Sequence, residues 1–229
     1  MLRFIFSIFL ILHLNYSLMS QSKAKLIYIA DPMCSWCYGF TNELSQALNN
    51  LDDKVELQLI MGGLRPYNTE TMLDLGEFLK GHWHHVEERS GREFNYEILK
   101  DTSFVYDTEP PSRAVVVMRQ LNPKKEFAFF KAIQTAFYAE NKNTNEVETY
   151  LDLAEQFDVD REKFKALFES EAMKQAIKKD FETAAAMGVR GFPTVILQNG
   201  DQYLVISNGY TSAKNIEDKV GHQLELIEK

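Results

Sequence analysis

Cys34 and Cys37 are the only two cysteines in a chain of 229 residues, and they stand three apart in Cys34-Ser35-Trp36-Cys37. Two cysteines placed at random in a chain this long would have that spacing only about 1% of the time. One helical turn separates such a pair, which suits thiol-disulfide exchange. A thiolate attacks a disulfide, and a neighbouring thiol then resolves the mixed disulfide by displacing the partner's sulfur.

The flanking residues divide these roles. Leu26 to Ala30 is a short apolar run rich in strand formers, ended by Asp31 and Pro32. After it, Cys37, Phe40, Leu44, Leu48 and Leu51 recur at helical spacing. The pair therefore lies where a strand gives way to a helix, and the unpaired N–H groups and dipole of a helix start favour an anion there. Cys34 is expected to be the exposed, attacking thiolate, and Cys37, on the apolar stripe, the shielded resolving thiol. Asp31 is placed either to take the Cys37 proton or to cap the strand end.

Two other uses of the pair are weaker. A structural disulfide adds little to a chain able to build its own core. Zinc needs four ligands, and His82, His84 and His85 would have to fold over the motif to complete a site; a solvated face beside Trp83 is the simpler reading. No metal is expected.

The composition, 45% apolar and 25% charged, is that of a folded soluble protein. A net charge of -8 without any basic tract argues against nucleic acid and anionic membranes as partners. The first twenty residues differ: one Arg, no acid, and an apolar stretch from Phe4 to Leu12. That stretch is too short for a membrane span, which takes roughly 20 residues. It has the layout of a signal peptide, with Ser20 and Ser22 as small residues near a cleavage point. The other reading makes Met19 the true start. The first places the protein in the periplasm or outside the cell, the second in the cytoplasm.

Val55 to Leu59 alternates as a second strand, closed by Gly62 and Gly63. From about Arg65 to Met187 only helical stripes appear, among them Val147, Tyr150, Leu151, Ala154 and Phe157; Phe164, Leu167 and Phe168; and Ala172, Ala176, Ile177, Phe181 and Ala185. Pro110, Pro111 and Pro123 punctuate this block, and Gly188 fits a helix C-cap. Thr194 to Leu197 and Tyr203 to Ile206 flank Asn199-Gly200, a hairpin signal that makes them antiparallel neighbours. A last helix starts near Ser212, with Ile216, Val220, Leu224 and Ile227 on one face.

With YIADPMCSWCYGF at one end and GVRGFPTVIL at the other, the sequence resembles the DsbA family of thioredoxin-fold oxidoreductases, and more specifically looks like its FrnE-type and 2-hydroxychromene-2-carboxylate isomerase branch. The resemblance covers nearly everything after residue 25. It implies an α/β thioredoxin fold built from 24–64 and 188–229, interrupted by a helical insertion over 65–187. It also implies that Pro193 is a cis-proline beside the Cys pair, making Cys34, Cys37 and Pro193 catalytic, with Ser35, Trp36, Phe192 and Thr194 meeting substrate. X-Pro bonds are the credible place for a cis peptide, and the backbone of Phe192 would be an edge for a substrate peptide. DsbA itself has a histidine between its cysteines, where Ser35 and Trp36 stand here, so a strongly oxidising potential does not carry over. Trp36 reads either as a substrate contact or as packing under the insertion. Met61-Gly62-Gly63-Leu64 resembles a loop of this branch without an assigned role.

The leading expectation is a thiol-disulfide oxidoreductase, protein disulfide isomerase-like, exchanging electrons with protein thiols and disulfides and with an unidentified redox partner. No bound cofactor is expected, although glutathione is a candidate redox partner. The alternative is a glutathione-dependent isomerase or transferase like the kappa-class relatives, in which the second cysteine would be superfluous. A binding module without redox cycling is disfavoured by the intact pair.

Overall fold

A computed structural model describes residues 23–227. The segment read as a signal peptide or late start lies outside the described residues. Strand β1 (Ala24–Ala30) is buried along most of its length, as its unbroken apolar run requires of a strand covered on both faces. Helix α1 (Ser35–Leu51) follows and leads to β2 (Val55–Met61), which returns parallel to β1 with Tyr28 opposite Leu59. Strands β3 (Thr194–Asn199) and β4 (Gln202–Asn208) form the antiparallel hairpin turned by Gly200, whose φ of 56° is a left-handed conformation. β3 pairs antiparallel with β1, so the sheet order is β2-β1-β3-β4. Helix α8 (Ala213–Ile227) closes the chain, and the Ser212 hydroxyl accepts from Asn215 N at its start.

Between β2 and β3 lie six helices: α2 (Met72–Ser90), α3 (Glu109–Leu121), α4 (Glu126–Tyr138), α5 (Val147–Gln156), α6 (Arg161–Phe168) and α7 (Glu171–Ala186). Local chemistry sets several of their ends. Thr71 and Asp74 form a reciprocal capping box on α2, and Gly91 ends it at a φ of 67°. Asp160 and Ser170 cap α6 and α7.

The alternating side chains of β1 reach two layers. Leu26, Tyr28 and Ala30 join the Cys pair and Phe40 in the larger core, which also takes in α3 to α8. Ile27 and Ile29 point the other way, to Ala184 of α7. Here the stripe read from the sequence is rotated: Ala172 and Ala185 are exposed, and Met173, Ile177 and Ala184 are buried. The cause is polar. Asp180 turns inward to accept from Arg119 at 2.8 Å and from the Met61 amide at 2.9 Å, which fixes the rotation of α7. Alanine, small and tolerant of either environment, does not resist it. No helix among the described residues is long and apolar enough to cross a membrane.

Candidate active site

Cys34 is the N-cap residue of α1, extended at φ -85° and ψ 114°. Its thiol does not cap the helix; it turns across to the carbonyl of Phe192, 3.7 Å away. The Phe192-Pro193 peptide is cis. Both cysteines are free thiols. Cys34 is less open than expected, at 6% exposure, because the Phe192 backbone lies against it, while Cys37 is fully enclosed. Burial, with Cys34 adding to it, pushes the Cys37 thiol well above its ordinary range. The pair thus has one sulfur against the Phe192 turn and one beneath it that resists ionisation.

Asp31 is wholly buried and accepts two backbone N–H bonds, from Met33 at 2.9 Å and from Leu64 at 2.7 Å. It ties together the turn before Cys34 and the loop after β2. Burial pushes its carboxyl up to about 6, against the pull of the Leu64 and Met33 amides. That loop, Met61 to Leu64, has a role in packing. A Cβ on Gly62 would lie 2.0 Å from the Phe192 ring, so only glycine lets that ring settle where it does.

The Met33 carbonyl, one residue before Cys34, accepts from two buried tyrosines. Tyr138 donates at 2.5 Å, and Tyr106 donates from the chain before α3. The Thr144 hydroxyl contacts the Met33 sulfur at 3.4 Å. Sequence reasoning missed Tyr106, Tyr138 and Thr144: isolated residues in a helical block carry no pattern that points back to a motif so far away in the chain.

Of the residues expected to meet substrate, Trp36 and Phe192 are half-buried beside Cys34, and Ser35 and Thr194 are buried. Thr194 turns its hydroxyl to the Gly191 carbonyl at 2.8 Å, holding the cis-proline turn. Trp36 meets His82 of α2 edge-on at 6.0 Å and Tyr210 at 6.2 Å, so it packs against the inserted block. His84 and His85 are exposed on α2, and Trp83 is its buried neighbour. A cleft of about 610 Å³ opens beside the thiol between Trp36, Phe192, Gly209 and Tyr210 on one side and His85, Glu88 and Arg89 of α2 on the other. Arg89 lies over the Tyr210 ring at 5.1 Å.

This strand-to-helix dithiol facing a cis-proline turn is set in a fold that known proteins share. A thioredoxin family model matches residues 27–217, and the chain belongs to that family, among its DsbA-like oxidoreductases. A Nitrosomonas europaea protein described as a protein disulfide isomerase is 31% identical in a superposition covering 89% of this chain and 98% of that one, with a TM-score of 0.83. The cytosolic disulfide reductase DsbM of Pseudomonas aeruginosa is 25% identical over 88% of this chain and 99% of its own, with a TM-score of 0.76. A 2-hydroxychromene-2-carboxylate isomerase is similar in fold alone, at 15% identity, 89% and 96% coverage and a TM-score of 0.58. No curated protein sequence matches the chain.

Proposed function

We propose that the protein is a thiol-disulfide oxidoreductase that exchanges the Cys34-Cys37 dithiol and disulfide with protein substrates through a mixed disulfide on Cys34. The observation that carries this reading is the asymmetry of the pair: Cys34 keeps slight exposure and lies against the Phe192 carbonyl, with Cys37 one turn behind and fully enclosed. An extended peptide pairing with the turn at Phe192 would bring its own sulfur to Cys34. Glutathione is the proposed redox partner. A disulfide reductase of similar fold has been solved with it, and the cleft beside Cys34 offers Arg89 and Glu88 to the carboxylates and ammonium of such a thiol.

The purified chain should reduce or oxidise a model protein disulfide, and Cys34→Ser should abolish that turnover. Cys37→Ser should instead accumulate a mixed disulfide, visible by intact mass. Unchanged turnover in Cys34→Ser sinks the proposal. Full turnover of a non-disulfide substrate by Cys37→Ser, in the presence of glutathione, would favour the isomerase alternative.

A further inference from the structure

Beneath Cys37 lies a small polar group inside an otherwise apolar core. The Tyr28 side chain leaves β1 on the α1 side of the sheet, its ring 5.8 Å from that of Phe40. Cys37 and Thr41 lie one turn apart on α1, on either side of Phe40 in sequence, and Cys37 shares the buried core with Tyr28; burial, then the charge of Cys37, raises the Tyr28 phenol. Tyr28 is fully buried, and among the described residues its hydroxyl has no partner in hydrogen-bond geometry. The Thr41 hydroxyl contacts the Cys37 carbonyl at 2.6 Å and the Gln134 side-chain oxygen at 2.8 Å, while the Gln134 amide nitrogen also lacks a partner. A buried hydroxyl without an acceptor is destabilising, and phenylalanine would fill the same space without that cost. The acceptor that Tyr28 lacks in the dithiol is the one that exchange chemistry creates beside it.

We infer that the Tyr28 hydroxyl is the hydrogen-bond donor for the Cys37 thiolate, and so sets how readily the resolving sulfur carries charge. The inference rests on the exchange reading above. When a dithiol chain reduces a substrate disulfide, Cys34 bonds to one substrate sulfur and the other leaves as a thiolate that takes a proton from water. Cys37 then gives up its proton, attacks the Cys34 sulfur and releases the second substrate sulfur, which gains a proton in turn. Two electrons pass to the substrate, and the Cys34-Cys37 bond forms. In the opposite direction a substrate thiolate attacks Cys34 and expels Cys37 as the thiolate. In both directions charge appears on Cys37 while Tyr28 keeps its own proton, since burial holds the phenol well above its ordinary range. Cys34 and Asp31 are the ionisable groups that act most on Cys37 among the described residues, and Tyr28, which Cys37 acts on in turn, is a neutral phenol.

Because the chain has only two cysteines, Cys34→Ala leaves Cys37 as its single thiol, and its ionisation can be read, without reagent access, as the pH dependence of the carbon-13 shift of its labelled Cβ. Adding Tyr28→Phe should cut the thiolate fraction at a given pH about tenfold, the scale of one hydrogen bond to a charged group. With Cys34 intact, Tyr28→Phe should slow resolution of a preformed mixed disulfide by a similar factor, while the urea midpoint of the dithiol stays level or rises. A merely structural role would lower the midpoint and leave the Cys37 profile where it was, and that result overturns the inference. If Tyr28→Phe fails to fold, carbon-13 labelling of tyrosine in the folded Cys34→Ala chain replaces it: a ring resonance should move with the Cys37 titration, and none doing so would reject the contact. The Cys37 titration needs no turnover, so a chain without exchange activity would refute the functional reading and leave this test standing.

Discussion

Asp31 shows how one buried side chain links the site to the pH dependence of the fold. Its carboxyl is pushed from an ordinary 3.8 up to about 6, chiefly by burial, with Asp107 adding to the rise. The folded chain therefore holds this proton more tightly than the unfolded chain does. The contribution to stability is fully present below the ordinary carboxyl range and is lost as pH rises through about 6. Asp31→Asn removes the titration. Burial also pushes Glu109 and Glu126 up, so the informative quantity is the difference between wild type and variant. In urea unfolding series from pH 4 to pH 7, wild type should lose about 2 kcal/mol more than Asp31→Asn as pH rises. Parallel curves would show that Asp31 does not titrate in this window. From the sequence, Asp31 read equally as a proton acceptor for Cys37 or as a strand-end cap. Its bonds to Met33 N and Leu64 N are capping bonds, and the second of these joins positions that no local pattern connects.

Among the elements, the legible parts were those with a period. β1, β2, the Asn199-Gly200 hairpin and the α1 stripe are written in alternation, turn chemistry and 3.6-residue spacing. The parts that hold the site were not legible, because they are contacts between elements. Phe192 resting on Gly62, the tyrosine hydroxyls on Met33, and Asp180 setting the rotation of α7 each depend on residues without periodic neighbours. The Gly62 contact has a measurable consequence. With a Cβ 2.0 Å from the Phe192 ring, Gly62→Ala must displace either the ring or the loop, at about 1–3 kcal/mol for overpacking. Disulfide exchange should fall with stability, since the same residue places its carbonyl against Cys34. Shortening the ring in Gly62→Ala/Phe192→Ala should recover part of the unfolding free energy in a double-mutant cycle. Strict additivity of the two changes would show that the contact is not the cause.

At the scale of the molecule, the helical block is not an appendage. The larger core runs without a break from β1 and α1 into α3 to α7, and a second core joins Met33 and Tyr38 of the motif region to Trp83, Phe94, Tyr106 and Tyr138 of the inserted block. Elements that share apolar cores cannot unfold one at a time without exposing the common surface, so one cooperative transition is expected. The two tryptophans make this testable, because Trp36 reports from beside Cys34 and Trp83 from the fully buried centre of the second core. In urea, Trp36→Phe and Trp83→Phe each leave a single tryptophan, excited apart from the ten tyrosines. For each variant the fluorescence midpoint should coincide with its own far-UV circular dichroism midpoint, within about 0.2 M given the usual extrapolation error. If the Trp83 signal were lost at lower urea than the helical signal, with Trp36 unchanged, the second core would be a separable unit. The cleft wall formed by His85, Glu88 and Arg89 could then open independently of the dithiol it faces. Coincidence would instead mean that the Cys34 opening is held by the whole fold.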